Sequence, residues 1–117
     1  MVADLTKDLY FLEAGGADRL GVVVLEQGGR PWAPAFSDRA SARSMARRAP
    51  SGVEVGRSPA GDPRAREEFL LACLLAGAER LVVDPPEGAA ATALPAGTSV
   101  REALAYVRSL RTGTACL

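Results

Sequence analysis

The chain has 117 residues, of which 48% are hydrophobic, and its 14 cationic and 14 anionic side chains give a net charge of zero. This length predicts one domain over residues 1–117, with an ordered core over 8–111 and a loose tail over 112–117. A net charge of zero provides no global field that would attract nucleic acid or a membrane, and no apolar run approaches the ~20 residues of a membrane-spanning helix.

The residue types limit the chemistry that the chain could perform. The sequence contains no histidine, which excludes Ser-His-Asp and Cys-His catalysis and any histidine-ligated metal site. Cys73 and Cys116 are far apart, and Cys73 falls on an apolar helix face, so neither a metal, a cofactor nor a disulfide is expected. The composition therefore favours a protein without catalytic activity. The first ten residues lack the pattern of a signal peptide, which predicts a cytoplasmic protein.

Three strand-like segments open the chain and predict an antiparallel meander. They are Asp8–Ala14, Arg19–Glu26 and Pro31–Phe36, separated by glycine-containing turns. Proline cannot donate to a β-ladder, so Pro31 and Pro34 predict an edge strand or a bulge for the third segment.

An arginine-rich helix is predicted from Ser37, as its N-cap, through Arg48. Its apolar positions are Ala42, Met45, Ala46 and Ala49. Another face carries Arg39, Arg43 and Arg47, spaced at i, i+4 and i+8, with Arg48 beside them. Two interpretations stay open for these arginines: a contact surface for an acidic protein or a phosphate backbone, or a solvated helix face.

The densest apolar stretch runs from Asp62 to Pro86 and predicts a helix, a turn and a buried strand. Asp62 is the predicted N-cap, Pro63 takes the first helical position, and Gly77 ends the helix. Arg80–Asp84 then reads as a strand covered on both faces. Asp84, at its carboxyl end, either faces a ligand crevice, where a small carboxylate-based enzyme could operate, or only caps the turn before the prolines that follow.

The remaining segments are shorter. Val53–Val55 predicts a short strand, Gly56–Gly61 a mobile loop, and Ala89–Leu94 a last short strand. Ser99 and Glu102 form a capping box that starts a closing helix, which is expected to end near Leu110 or Arg111. The elements together predict an α+β (mixed α/β) domain, with a small mixed sheet of five or six strands and about three helices packed on it.

Two motifs carry a resemblance to a known family. The aromatic segment from Trp32 to Asp38 ends in Phe-Ser-Asp before a helix, and an aliphatic strand runs from Leu81 to Val83 into Asp84-Pro85. This order of elements, over about residues 8–110, resembles the N-terminal domain of the SseB-like family, named for enhanced serine sensitivity. Asp84 stands where that family usually has asparagine. The resemblance implies a small mixed α/β domain and implies neither a defined activity nor catalytic residues.

The expected function is that of a non-catalytic interaction or regulatory module. The predicted surface combines the edge segment with the arginine helix and comprises Trp32, Pro34, Phe36, Arg39, Arg43 and Arg47. For Trp32, ordinary core packing is the alternative. The expected partner is another protein or a second copy of the chain, with nucleic acid less favoured and a membrane excluded.

Overall fold

A computed structural model of the protein describes residues 6–14, 21–27, 29–49, 52–85 and 97–113. Within these residues it contains one seven-stranded mixed sheet and three helices, which confirms the predicted small α+β fold. The elements in chain order are β1 (Leu9–Ala14), β2 (Gly21–Val22), β3 (Leu25–Gln27), β4 (Arg30–Phe36), α1 (Arg39–Arg48), β5 (Val53–Ser58), α2 (Pro63–Leu75), β6 (Arg80–Val83), β7 (Thr98–Ser99) and α3 (Val100–Gly113).

Strands β1 and β4 organise the sheet. β5 pairs antiparallel with all six residues of β1, and β1 pairs antiparallel with the end of β4. On its other side β4 pairs in parallel with β6, which pairs antiparallel with the short β7. The chain reaches β6 from β4 through α1, β5 and α2, so the parallel pair is joined by a long crossover, as parallel strands require.

The segment predicted as one strand over Arg19–Glu26 is divided in the structure. β2 pairs with β1, whereas β3 pairs with β4, and Val23 and Val24 lie between them outside any strand. The division follows from the arrangement of β1 and β4, which pair directly only at Tyr10–Phe36 and Phe11–Ala35. Where β1 and β4 separate, β2 continues the ladder of β1 and β3 continues that of β4.

Strand β4 lies in the middle of the sheet, so the prediction that Pro31–Phe36 forms an edge is wrong. The backbone carbonyls of Pro31 and Ala35 accept hydrogen bonds from the β6 side. Because backbone groups alternate along a strand, the nitrogen of Pro34 points the other way. On that side, β4 pairs with β3 only as far as Trp32, and it pairs with β1 only at Ala35 and Phe36. Pro34 thus falls in the gap between two ladders, where no N–H is needed.

The two faces of the sheet carry separate cores. On the helix-pair face, α2 and α3 cover alternate strand residues, and the buried set includes Leu9, Phe11, Ala33, Ala35, Leu81, Phe69, Leu70, Val100 and Val107. On the α1 face, the buried set is Leu12, Phe36 and Ala42, with Tyr10, Val23, Met45, Ala46, Val53 and Val55 partly buried around it. The prediction of a strand covered on both faces is confirmed for β6, since Leu81 is fully buried in the helix-pair core and Val82, which points to the other face, is buried as well.

The helix ends follow the capping chemistry of the sequence, with one difference. Asp62 caps α2 by accepting from the amide of Ala65, and Gly77 follows the helix at a φ of +95°. The Ser99 hydroxyl accepts from the amide of Glu102 at the start of α3. The N-cap of α1 is Asp38 and not Ser37, because the Asp38 carboxylate accepts both the amide and the hydroxyl of Ser41.

Other boundaries also differ from the prediction. β5 extends to Ser58, so residues 56–58 of the predicted mobile loop belong to a strand. Thr98–Ser99 forms the unpredicted β7, and α3 continues to Gly113, beyond the end expected near Leu110 or Arg111, so residues 112 and 113 of the predicted loose tail are helical. The strand predicted over Ala89–Leu94, the turn after β1, Cys116 and the end of the predicted tail lie outside the described residues.

Candidate functional site

The aromatic segment does not offer the predicted interaction surface. Trp32 and Phe36 are only 7% and 5% exposed, and Pro34 is among the fully buried side chains. All three point to the α1 face of the central strand β4, so Trp32 belongs to the core. Within the described residues, the indole nitrogen of Trp32 has no hydrogen-bond partner. The prolines predict an edge position for this strand, whereas its actual position depends on strand pairing that the prolines do not reveal.

Asp84 connects the ends of the two parallel strands. One carboxylate oxygen accepts the amide of Ser37 at 2.9 Å, and the other accepts its hydroxyl at 2.7 Å. The amide of Asp84 donates to the carbonyl of Ala35 at 2.7 Å. Asp84 adopts a left-handed conformation with a φ of +53°, which aspartate tolerates better than most residues. Its side chain therefore fixes the turn from β4 into α1, 47 residues away in sequence, rather than only capping the turn before the prolines.

A cavity of about 370 Å³ lies at the opposite end of β6 from Asp84. It is lined by the end of α2, the start of β6 and the start of α3, through Leu74, Gly77, Ala78, Glu79, Arg80, Ser99 and Arg101. The Arg80 guanidinium donates to the carbonyl of Gly97 at 2.9 Å, and the carbonyl of Glu79 accepts from the amide of Val100. These bonds join β6 to the start of α3. Asp84 does not line this cavity, so the cavity gives no support to carboxylate chemistry at Asp84.

The arginines of α1 lie on the outside of the molecule. Arg39, Arg43 and Arg47 are all exposed, as the helical spacing predicts, and Arg48 is exposed beside them. In the part of the chain that the structure describes, neither Arg43 nor Arg47 makes an ion pair or a side-chain hydrogen bond. No acidic residue occupies the first turn of α1, so the helix presents a surface of one sign.

The arginine surface continues onto the sheet through Tyr10. The guanidinium carbon of Arg39 lies 5.3 Å from the centre of the Tyr10 ring, a cation–π arrangement. Tyr10 is paired across the strands with Arg57, whose guanidinium contacts the Asp8 carboxylate at 2.9 Å. The amide of Ala60 and the guanidinium of Arg57 both donate to Asp8 and hold the pKa of its carboxyl below the ordinary value. Arg39 and Arg57 are thereby positioned by contacts with β1 and the residues beside it.

The helix-pair face of the same two strands carries the opposite charge. Glu13 on β1 and Glu54 on β5 are direct cross-strand neighbours. Partial burial, together with the negative charge of Glu54, raises the pKa of the Glu13 carboxyl. The edge of the sheet formed by β1 and β5 is thus basic on the α1 face and acidic on the helix-pair face.

The sequence does not predict the burial of Arg66, whereas it does predict the burial of Cys73. Arg66 of α2 is fully buried, and its guanidinium donates to the Ser58 hydroxyl and to the carbonyl of Lys7, both at 2.7 Å. These bonds tie α2 to the end of β5 and to the residues before β1. Burial raises the pKa of the Cys73 thiol to about 12, which leaves it protonated and inert at neutral pH. Cys73 is therefore a core residue, as its position on the apolar helix face predicts.

The described residues offer neither a metal site nor a membrane span. Among them, no three His, Cys, Asp or Glu side chains lie close enough together to hold a metal ion. No helix within the described ranges has the length and apolar character needed to cross a membrane.

Comparison with models of known protein families finds none that matches the chain, and comparison with curated proteins finds no similar sequence. The resemblance to the SseB-like family therefore rests on the sequence motifs alone and stays a prediction.

Proposed function

We propose that this protein is a non-catalytic, SseB-like interaction module of the cytoplasm, and that the arginine surface of α1 binds an acidic segment of another protein. The observation that carries the proposal is the row formed by Arg39, Arg43 and Arg47. These side chains are exposed at one-turn spacing, and among the described residues Arg43 and Arg47 have no anionic partner.

The chemistry of arginine suits a carboxylate-rich partner. A guanidinium can donate two parallel hydrogen bonds to one carboxylate, which gives both energy and orientation. An exposed ion pair of this kind stabilises a complex by only about 0.2–1 kcal/mol, so several must form together for useful affinity. The row on α1 offers three such groups within two helical turns, and the contact of Arg39 with Tyr10 restricts the freedom of one of them.

The absence of histidine and the use of the carboxylates support a non-catalytic role. Asp84 accepts two hydrogen bonds from Ser37, Asp38 caps α1, and Asp8 is paired with Arg57. Each of these carboxylates has a structural contact that explains its position. The neighbourhood of Asp84 joins two strand ends to a helix, which is a sufficient reason for an aspartate there.

Charge reversal on α1 tests the proposal. We expect Arg43→Glu/Arg47→Glu to weaken binding of a fluorescent oligoglutamate peptide by about tenfold or more at low salt, because two ion pairs are replaced by repulsion. Fluorescence anisotropy measures the affinity, and binding by the wild type should weaken as salt is added. The matched control is Arg64→Glu/Arg101→Glu, which changes net charge equally at exposed positions on α2 and α3 and should retain most of the affinity.

Three results would contradict the proposal. The wild-type protein could fail to bind the peptide at low salt, or the α1 variant and the control could lose affinity equally. The third is binding of a DNA or RNA duplex through α1 without binding of the acidic peptide, which would identify a nucleic-acid surface instead. Circular dichroism of both variants ensures that the comparison is made between folded proteins.

A further inference from the structure

Strand β5 leaves one side of the sheet open beside α1. All six of its residues, Val53–Ser58, pair with β1 on one side, and among the described strands none pairs with it on the other. An unpaired edge presents a row of backbone N–H and C=O groups that an extended peptide can join as an additional strand.

The side chains of β5 give this edge two different surfaces. Val53 and Val55 pack toward α1, and Arg57 lies on the same face beside Tyr10. Glu54 and Gly56 point to the helix-pair face, where Glu54 is next to Glu13. A peptide strand added to β5 would therefore have Arg57 and the α1 face of the sheet on one side and Glu54 on the other.

The position of Gly56 fixes the shape of the acidic side of the edge. A Cβ atom at Gly56 would lie only 2.6 Å from the Phe11 ring, which stacks on Phe69 with ring centres 4.4 Å apart. The Phe11 ring therefore occupies the space next to this glycine, and all six residues of β5 pair with β1. An edge of this length matches an ordinary strand of about five to six residues.

We infer that β5 binds an extended segment of the acidic partner by strand addition, with acidic side chains at every second position facing α1 and neutral or basic ones between them. The inference rests on the proposed function and specifies the conformation and charge pattern of the partner. Backbone hydrogen bonds to β5 supply affinity, and the alternation of side chains supplies specificity, because successive side chains of a strand point to opposite faces.

A second copy of the chain fits this edge less well. Two β5 strands related by a two-fold axis and paired antiparallel keep the same faces together, so the two α1 helices would lie on one side of the joined sheet. Arg39, Arg43 and Arg47 of both copies would then lie on the same face of the joined sheet, where the carboxylate of Asp8 is already paired with Arg57. An acidic segment brings the complementary charge that a second copy lacks.

The test compares two peptides of equal composition and charge. One alternates Glu and Thr, and the other has all Glu residues followed by all Thr residues, so only the first can place its carboxylates on one face of a strand. We expect the alternating peptide to bind about tenfold more tightly in fluorescence anisotropy. N-methylation of every second amide removes the donors on one edge of the peptide, so methylation of one alternate set should abolish this advantage.

A protein variant gives an independent readout of the acidic side of the edge. For a peptide that alternates Glu and Lys, Glu54→Lys should weaken binding by about three- to tenfold, while the Glu–Thr peptide should retain or increase its affinity. Size-exclusion chromatography of the free protein should show a monomer. A dimer that the peptide dissociates would assign the edge to a second copy and overturn the inference.

The failures of the two proposals are distinguishable. Equal affinity for the alternating and block peptides, unaffected by either methylation, would overturn strand addition, while Arg43→Glu/Arg47→Glu would still weaken both peptides if α1 binds acidic proteins. Absence of binding by every acidic peptide would overturn the proposed function and the inference together.

Discussion

The helix-pair face and the α1 face are built from the same strands, but they differ in how completely they are covered. On the helix-pair face, two helices bury a continuous core in which Leu70, Cys73, Leu81, Val100 and Val107 are all fully buried. On the α1 face, one short helix buries Ala42, and most of the side chains around it are only partly covered. The polar surface of α1 is correspondingly rich in arginine. The contrast indicates that stability comes mainly from the first face, which leaves the surface of the second free to carry charge.

The largest expected effect is a difference in the free energy of unfolding between two side-chain truncations, one in each core. Leu70→Ala removes a fully buried side chain from the helix-pair face and should lower the free energy of unfolding by about 2–5 kcal/mol. Met45→Ala removes a side chain of similar size that is only partly buried on the α1 face, and should cost about 1 kcal/mol. Urea denaturation of both variants measures the difference. Equal losses would show that the two faces contribute alike and would contradict the comparison.

A smaller effect is expected at the contact between the end of β6 and the turn that leads from β4 into α1, where the Asp84 carboxylate accepts two hydrogen bonds from Ser37. Asp84→Ala loses both hydrogen bonds to Ser37 and places alanine in a left-handed conformation, so the free energy of unfolding should fall by about 2 kcal/mol. Asp84→Asn retains an acceptor for the Ser37 amide and tolerates the same φ, and should cost less than about 1 kcal/mol. Thermal denaturation of the pair measures this. Equal stability of the two variants would mean that neither the φ of residue 84 nor its contact with Ser37 matters.

The sequence was most informative where local chemistry determines structure. The Asp62 cap, the following Pro63 and the Gly77 terminus defined α2 to within a residue, and helical spacing correctly placed Arg39, Arg43 and Arg47 on the surface. The fold class was also predicted correctly, because the alternation of strand and helix patterns depends only on residues that are near one another in sequence.

The errors arose where long-range pairing decides the outcome. By local rules, Pro31 and Pro34 predict an edge strand. Pro34 nevertheless lies in a central strand, because β3 pairs with the residues of β4 before it and β1 pairs with those after it. The valines of Val22–Val24 predict one continuous strand, and only the separation of β1 from β4 divides it. The carboxylate of Asp84 finds Ser37 through a contact that no local pattern contains. The open edge of β5 likewise appears only once the strand order is known.

The smallest expected effect concerns how stability depends on pH at two carboxyls. One belongs to Asp8, the residue before β1, and the other to Glu13 on β1. The pKa of Asp8, on the α1 face, is lowered by hydrogen bonds from Ala60 and Arg57, whereas burial and Glu54 raise the pKa of Glu13 on the helix-pair face. A carboxyl whose pKa is lower in the folded state stabilises the protein above its unfolded pKa of ~3.9, and this contribution disappears as the pH falls through the folded pKa. A carboxyl whose pKa is higher in the folded state opposes folding at neutral pH, and its effect disappears below its unfolded pKa of ~4.3.

Asp8→Asn should therefore be less stable than the wild type at neutral pH, and Glu13→Gln more stable, with both differences vanishing in acid. Urea midpoints measured from neutral pH down to about pH 3 test the signs, and two shifts of the same sign would contradict the assignment of opposite charge to the two faces of this edge.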